Sequence, residues 1–275
     1  MKRYLSILLA LILAVSLGVI LRHGYDSRRA VADSLEAAEL AGLSGKREQE
    51  ARPDPRPALP SEPLPEEAAH LAQVDLAALQ EVNEDVIGWI EIPGTQLSYP
   101  LVQGEDNQYY LTHNWKRESS TAGSVFLEQT NPRDLSGFHL IAYGHRMRNG
   151  SIFGSLRHYS DPAYLQEHPS IYLVDKTAVR RYDIFAAYEA GVTSLVYRLD
   201  LEEKELEEAF IDFCLASSAV ETGVVPEPGS QILTLSTCTG RGYESRWVVQ
   251  GYLSRRYEIT GQALLPNIKK SPGNP

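Results

Sequence analysis

The sequence predicts a mainly β domain, a barrel or a sandwich with helical insertions. Eight short runs rich in β-branched and aromatic residues are separated by turn residues, and only one later segment has a strong helical pattern. Runs of this length fit strands better than helices, because strands are commonly about five or six residues long. The predicted strands cover residues 87–92, 97–102, 123–128, 138–143, 171–174, 182–188, 231–237 and 246–253.

Length and composition are those of an ordinary globular protein. The chain has 275 residues, of which 43% are hydrophobic and 23% charged, so it can bury a sizeable core. Its 36 acidic and 26 basic side chains give a net charge of −10, which argues against nucleic acid as the main partner. Two cysteines without a CxxC pair exclude a disulfide scaffold and a zinc ribbon, and no metal or cofactor is predicted.

The N-terminal segment has the pattern of a membrane anchor. Lys2 and Arg3 are followed by residues 4–21, a run of 18 without any charge. About 20 apolar residues are needed to cross a bilayer as a helix, so the run is just sufficient. A cleaved signal peptide is the alternative, but the small residues at 14–16 lie inside the run rather than after it. The sequence therefore predicts a signal anchor at 4–21, with basic residues at both ends leaving its orientation open.

A stalk is predicted between this anchor and the folded domain. Residues 26–50 mix Ala, Glu, Leu and Arg at loosely helical spacing, which suits an exposed helix or a disordered segment. Residues 53–65 contain six prolines, a density that favours an extended spacer over the alternative of a ligand for a partner domain. The predicted stalk covers 22–65, the folded domain 66–258 and a C-terminal tail 259–275.

Three helical segments are predicted within the domain. An amphipathic helix over 68–84 precedes the first strand, and a short helix over 151–159 follows the fourth. The strongest helical pattern covers 201–216, before the strand 231–237, and its outer face is acidic. Because these helices are few and separated by strands, they are predicted as insertions into a β architecture.

The two cysteines have different surroundings. Cys238 follows the strand 231–237 among small and hydroxylic residues, where a substrate can reach the thiol. Cys214 lies in an apolar helical segment, where a free cysteine behaves as a small buried hydrophobe. Cys238 is therefore the candidate nucleophile. Its position alone fits a catalytic role and a structural role equally well.

Arg246 is the candidate cationic partner of Cys238. It begins the next strand eight positions further on, and a short hairpin between the two can direct both side chains into one pocket. A guanidinium in that pocket would stabilise a thiolate or an oxyanion. The alternative is a surface arginine paired with Glu244.

His145 is the candidate acid or base. It follows the strand 138–143 through one glycine, and strand ends are where catalytic groups project from a rigid scaffold into loops. A metal site that combines His145 with His139 lacks a third ligand at suitable spacing.

The residues around these three candidates form recognisable motifs. They are Tyr-Gly-His-Arg-Met at 143–147, Phe-Gly-Ser-Leu at 153–156 and Thr-Leu-Ser-Thr-Cys-Thr at 234–239, followed by Arg246. Over about residues 81–255 the sequence resembles the sortases, membrane-anchored cysteine transpeptidases of Gram-positive bacteria. The first two motifs, the N-terminal helix, the long helix before the cysteine strand and the segment 99–111 are typical of class B.

The resemblance implies a fold and a reaction. The fold is an eight-stranded sortase-type β-barrel with an N-terminal helix and a long helix inserted before the cysteine strand. In the reaction, a cysteine attacks the carbonyl of a threonine in a C-terminal sorting signal, and the thioester passes to an amino group of a peptidoglycan cross-bridge or a pilin. The implied partners are sorting-signal-bearing surface or pilus proteins and that amine. The catalytic domain 66–258 and the stalk 22–65 are then extracellular, and residues 1–3 cytoplasmic.

The resemblance also implies residue roles. By motif match, Cys238 is the nucleophile, His145 the general acid and base, and Arg246 the group that faces the oxyanion or the substrate carbonyl. The residues that match groove positions of class B enzymes are Asn107, Leu111 and Ser236.

Two other classes of function stay open at this point. A hydrolytic cysteine peptidase would use the same Cys and His, but the papain order places the cysteine first. A non-catalytic wall-binding module would need neither residue. Transfer to an added amine, hydrolysis alone, or neither would distinguish the three.

Overall fold

The computed structural model describes residues 2–43, 64–201, 203–227, 229–239 and 244–259. The predicted spacer, apart from its last two residues, and the predicted tail after its first residue lie outside the described residues. Most side chains of the predicted anchor also lie outside them, so the anchor stays a prediction.

Eight strands of the described chain close into one barrel, which confirms the predicted fold class. Their order around the barrel is β1-β2-β3-β4-β7-β8-β6-β5. Neighbouring strands are antiparallel except for the parallel pairs β2–β3 and β4–β7. The strands are β1 (Val86–Glu91), β2 (Ser98–Val102), β3 (Val125–Leu127), β4 (His139–Tyr143), β5 (Ser170–Val174), β6 (Ala178–Gly191), β7 (Ile232–Cys238) and β8 (Ser245–Glu258).

The strands β6 and β8 are much longer than predicted. The sequence predicts 182–188 and 246–253, whereas each strand has 14 residues and the two pair along their whole length. The added part of β6 contains Arg180, whose buried guanidinium forms an ion pair with Asp175 at 2.7 Å. Charged side chains at such positions interrupt the apolar alternation on which the prediction depends, while the backbone ladder continues through them.

The N-terminal helix α1 (Lys2–Leu40) is continuous through the predicted anchor and the first part of the predicted stalk. Across the described residues, no helix combines the length and the apolarity that a membrane span requires.

Residues 26–43 pack against the barrel, in contrast to the stalk that the sequence predicts there. Ala30, Ala37 and Ala41 are buried, and seven residues are close to two helical turns, so Ala30 and Ala37 lie on one face of α1. Because alanines are small, this face does not stand out as an apolar stripe in the sequence. The folded unit therefore includes these residues in addition to the predicted domain 66–258.

The helix predicted at 68–84 is divided in two. A 3-10 helix covers Glu66–Gln73, and α2 (Leu76–Val82) follows it. The Asp75 side chain caps α2 by accepting a hydrogen bond from the backbone N–H of Ala78 at 3.0 Å. The apolar periodicity spans both pieces and therefore does not reveal the interruption.

The later helices lie close to their predicted positions. A 3-10 helix at Gly154–Ser160 takes the place of the helix predicted at 151–159, and α3 (Pro162–Glu167) follows it. The long helix predicted at 201–216 is α4 (Lys204–Ser217), inserted between β6 and β7.

Side chains of β4, β7 and β8 alternate between the barrel interior and an outer face. Leu140, Leu235 and Val249 belong to the interior apolar cluster. On the outer face, Val248 belongs to a second cluster with Phe210 of α4. The barrel and α4 therefore fix these three strands from both sides, and the candidate site lies at their shared end.

Candidate active site

Cys238 and Arg246 lie opposite each other on β7 and β8. The antiparallel register pairs the two residues directly, and directly opposed side chains project from the same face of a sheet. Both residues are half-buried. The register therefore places the two residues on the same face of the sheet, whereas their shared pocket stays a prediction.

His145 is brought beside Cys238 by the parallel pairing of β4 with β7. The last register pair of these strands is Tyr143 with Ser236. His145 and Cys238 each lie two residues further along, so the register carries them to the same level. The hydroxyl of Thr237 donates to the carbonyl of the residue before His145 at 2.7 Å, which holds the two chain ends together beyond the last strand pair.

The imidazole of His145 is fixed on one side by a backbone carbonyl. Its Nε2 lies 2.8 Å from the carbonyl oxygen of Leu111. A carbonyl only accepts hydrogen bonds, so Nε2 must carry a hydrogen. Nδ1 is then the nitrogen left to interact with the thiol of Cys238, and this interaction raises the pKa of the imidazole.

The electrostatics of this pair favour charge separation. A hydrogen bond to His145 lowers the pKa of Cys238, partial burial opposes the shift, and the positive charge of Arg246 adds to it. The same hydrogen bond raises the pKa of His145, again against burial. Each partner thus stabilises the charged form of the other, as expected for a reactive thiol.

Cys214 is the opposite case, as the sequence predicts. It is fully buried against the barrel on α4, and burial raises the pKa of its thiol to about 11. A neutral thiol in an apolar cluster has a packing role.

Of the three predicted groove residues, Ser236 lies next to the candidate nucleophile. It is 2% exposed, and its hydroxyl lies 2.9 Å from the phenol oxygen of Tyr197. Leu111 is half-buried and contributes its carbonyl to His145.

The amide of Asn107 is already engaged within the protein. Its Oδ1 accepts from the backbone N–H of Gln129 at 2.9 Å, and its Nδ2 donates to Glu128 at 2.6 Å. One hydrogen of Nδ2 is thus left for any other partner. Asn107 therefore fixes the segment that follows β3 in addition to any contact with a substrate.

Three residues around the site are not among the sequence predictions. Tyr197 lies near Cys238 and Arg246, and Tyr143 lies near Arg246. Burial raises the pKa of both phenols, so they act as neutral hydrogen-bonding groups. The Tyr143 hydroxyl donates to the buried carboxylate of Glu128 at 2.9 Å. Glu128 ends the predicted strand 123–128, and a carboxylate at the end of an apolar run is the one signal in the sequence that marks it.

His139 is a structural residue on the outer face of β4. Its Nδ1 lies 2.9 Å from the carbonyl oxygen of Arg198, and its Nε2 lies 2.8 Å from the hydroxyl of Thr234. Burial lowers the pKa of His139 to about 4, so the ring is neutral at ordinary pH. Within the part of the chain that the structure describes, no group of three His, Cys, Asp or Glu side chains could hold a metal ion.

The chain is similar to known sortases in sequence. The sortase domain family matches residues 90–254. Sortase B of Listeria monocytogenes is 35% identical over 181 residues, which cover 65% of this chain and 74% of that protein.

The fold is similar to solved sortase B structures. A Staphylococcus aureus sortase B–substrate complex has a TM-score of 0.62 at 27% identity, covering 67% of this chain and 85% of that one. Sortase B from Listeria monocytogenes has a TM-score of 0.59 at 34% identity, covering 65% of this chain and 100% of that one. With a family match over more than half of its length and class B relatives in both sequence and structure, the chain belongs to the sortase family, in class B.

Proposed function

We propose that the chain is a cysteine transpeptidase in which Cys238, His145 and Arg246 act together. The observation that carries this proposal is the strand register, which places Cys238 directly opposite Arg246 and brings His145 to the same level. Membership in the sortase family supports the same role. The site thus combines a nucleophile, a proton carrier and a stationary positive charge.

In the first half of the proposed reaction, the Cys238 thiolate attacks the carbonyl carbon of a substrate threonine. The carbonyl electrons move to the oxygen, and Arg246 faces this developing negative charge. When the tetrahedral intermediate collapses, the peptide C–N bond breaks and Nδ1–H of His145 protonates the leaving amine. A thioester to Cys238 remains.

In the second half, an amine takes the acyl group. Neutral Nδ1 of His145 accepts a proton from the attacking amine, a new amide bond forms, and the thiolate of Cys238 leaves. The Nε2–H bond to Leu111 keeps the ring in the tautomer that both halves require.

The proposed acyl donors are surface or pilus proteins with a C-terminal sorting signal. A solved relative, sortase B of Staphylococcus aureus, is described with its substrate. The proposed acceptor is an amino group of a peptidoglycan cross-bridge or of a pilin. The proposed groove residues are Asn107, Leu111 and Ser236. The amide of Asn107 is partly engaged within the protein, so this residue also helps to fix the wall of the groove.

We also propose a location that suits these substrates. Residues 4–21 would anchor the chain in the membrane with residues 1–3 in the cytoplasm, and the barrel would lie outside. The run without charges supports this placement. Protease added to intact cells should digest the barrel domain. A barrel domain that stays undigested in intact cells would contradict the placement.

The direct test is product analysis with and without an amine. The purified chain is incubated with a panel of threonine-containing sorting-signal peptides, with triglycine or Nα-acetyl-lysine as acceptor, and the products are identified by mass spectrometry. We expect an amide between the threonine carbonyl and the added amine. Hydrolysis that is unaffected by amine would instead indicate a cysteine peptidase, and absence of both products would contradict an enzymatic role.

A further inference from the structure

One loop next to the active site is held by the N-terminal helix. The loop covers residues 112–124, between a 3-10 helix at Tyr109–Leu111 and β3. Four side chains on α1 contact it. The contacts are Asp26 with Thr121, Arg29 with Glu118 at 2.9 Å, Asp33 with Asn114 at 2.9 Å and Glu36 with Lys116 at 2.7 Å.

Asp33 is the centre of this contact. Its side chain is 8% exposed, and its Oδ2 accepts from Asn114, which is 2% exposed. The backbone carbonyl of Asp33 accepts from the indole N–H of Trp115 at 3.1 Å. Within the loop, Asn114 Oδ1 accepts from the backbone N–H groups of Lys116 and Glu118 at 3.1 and 2.9 Å. A buried polar cluster with these pairings is costly to open, because each released group loses its partner.

The residue that leads into this loop contacts His145. The carbonyl of Leu111, directly before the loop, accepts the hydrogen of Nε2. The loop closes tightly behind this carbonyl, since a Cβ at Gly123 would lie 2.9 Å from it. The Ser124 backbone N–H also donates to the carbonyl of Tyr110 at 2.9 Å. A compact loop thus connects Asn114 to the carbonyl that orients the imidazole.

We propose that Asp33 is a positioning residue for His145, which it reaches through the loop 112–124 and the carbonyl of Leu111. The effect of this Asp33 contact on turnover rests on the proposed function, whereas its effect on the imidazole does not. Without the contact, the Leu111 carbonyl is free to shift, and Nε2 loses the acceptor that keeps its hydrogen in place. Nδ1 then carries a hydrogen in part of the molecules and cannot accept the proton of Cys238.

The test uses the full chain in detergent micelles and two substitutions of one residue. Asp33→Ala removes the acceptor for Asn114, whereas Asp33→Asn keeps an oxygen in the same place. Glu39→Ala, at an exposed position of the same helix, is the matched control. The charged groups around Asp33 are Arg29, Glu36, Lys116 and Glu118, and they are unchanged in all three variants.

The readout is the rate of Cys238 alkylation by iodoacetamide across pH, followed by mass spectrometry of its peptide. For Asp33→Ala we expect alkylation near neutral pH to fall roughly tenfold, which corresponds to one unit in the pKa of the thiol. Asp33→Asn and Glu39→Ala should follow the wild-type profile. With a substrate, kcat should fall in Asp33→Ala while KM changes little. A wild-type alkylation profile in folded Asp33→Ala would overturn the proposal, even if its thermal midpoint is lower.

Trp115→Phe provides a second variant if Asp33→Ala does not fold. It removes only the indole N–H that binds the Asp33 carbonyl and keeps an aromatic ring in the buried position. A partial loss of alkylation in the same direction is expected, and an unchanged profile would overturn the proposal. Alkylation requires no sorting signal and no amine. Failure of the transpeptidase assignment would therefore appear as absent transfer in the wild type, with these alkylation differences intact.

Discussion

Cys238 and Arg246 are a directly opposed pair of the β7–β8 ladder, so a single strand register places the thiol and the guanidinium on one face. Seven residue pairs establish this register, beginning with Ile232 and Tyr252. A slip by one residue would turn one of the two side chains to the other face of the sheet. The distance between nucleophile and cation is therefore a property of the barrel rather than of a flexible loop.

The first prediction concerns the guanidinium of Arg246. Arg246→Ala should lower kcat/KM by roughly 10²–10³-fold, the usual cost of one oxyanion donor. Arg246→Lys should lose at least about tenfold, because lysine keeps the charge but not the planar pair of N–H groups. Arg255→Ala, at an exposed position of the same strand, should retain normal turnover. Normal turnover in Arg246→Ala would leave Arg246 as an ordinary surface arginine.

The second prediction separates the two cysteines. Cys238→Ala should abolish cleavage of a sorting-signal peptide, because no other thiol lies beside His145 among the described residues. Cys214→Ala should retain most activity and lose stability on the order of 1 kcal/mol through the small cavity that it leaves. Turnover and thermal midpoints of both variants decide this. Loss of turnover in a folded Cys214→Ala variant would contradict the assignment.

The strands could be predicted because their signals are local. The same holds for the proximity of Cys238, His145 and Arg246. Each strand has its own apolar run, and the paired strands convert a sequence spacing of eight between Cys238 and Arg246 into direct opposition. The confirmed assignment to class B depends on motifs around His145 and Cys238 in the same way.

The packing of α1 could not be predicted from the sequence. Its contact face consists of alanines and of charged residues such as Asp33. The polar partners of this face lie about 80 residues further along the chain, and Asn114, which binds Asp33, is the main partner. Local periodicity contains no information about such distant pairs. The same limit applies to the amide of Asn107, because its partner Glu128 is 21 residues further along the chain.

The third prediction follows from that packing. A chain that begins at Glu66 loses α1 and exposes the buried side chains of Asn114 and Trp115. A chain that begins at residue 24 keeps these contacts. We expect the shorter chain to have the lower thermal midpoint and faster hydrogen exchange in the loop 112–124. Equal midpoints and equal exchange would indicate that α1 adds nothing to the fold.

The fourth prediction is a dependence of stability on pH from His70. Its Nε2 lies 2.9 Å from the buried carboxylate of Glu91, and this hydrogen bond raises the pKa of the imidazole despite partial burial. A raised pKa means that the stabilisation is complete below the unfolded-state value of about 6.5 and is lost as pH rises through the folded-state value. Its size should not exceed about 1 kcal/mol, because the imidazole is 40% exposed and screened by solvent.

The measurement for His70 is the thermal midpoint of the wild type and of His70→Ala from pH 5 to pH 9. The difference between them should be largest at low pH and shrink as pH rises. His158→Ala is the control, because partial burial and Arg157 lower the pKa of His158, so its difference should not grow at low pH. A constant difference for His70→Ala across the range would exclude the proposed ion pair with Glu91.

The last prediction concerns the protonation of Cys238. Because a hydrogen bond to His145 and the charge of Arg246 lower its pKa, alkylation of Cys238 should begin below the ordinary cysteine value of about 8.5. His145→Ala removes the larger of these two effects, so the alkylation midpoint should move to higher pH while the charge of Arg246 still holds it below that of Cys214. Cys214 is the internal reference in every sample, since burial raises the pKa of its thiol to about 11 and it should stay unmodified in the folded protein. An unchanged Cys238 midpoint in His145→Ala would mean that the imidazole does not share a proton with the thiol, and the two-step proton transfer assigned to His145 would fail with it.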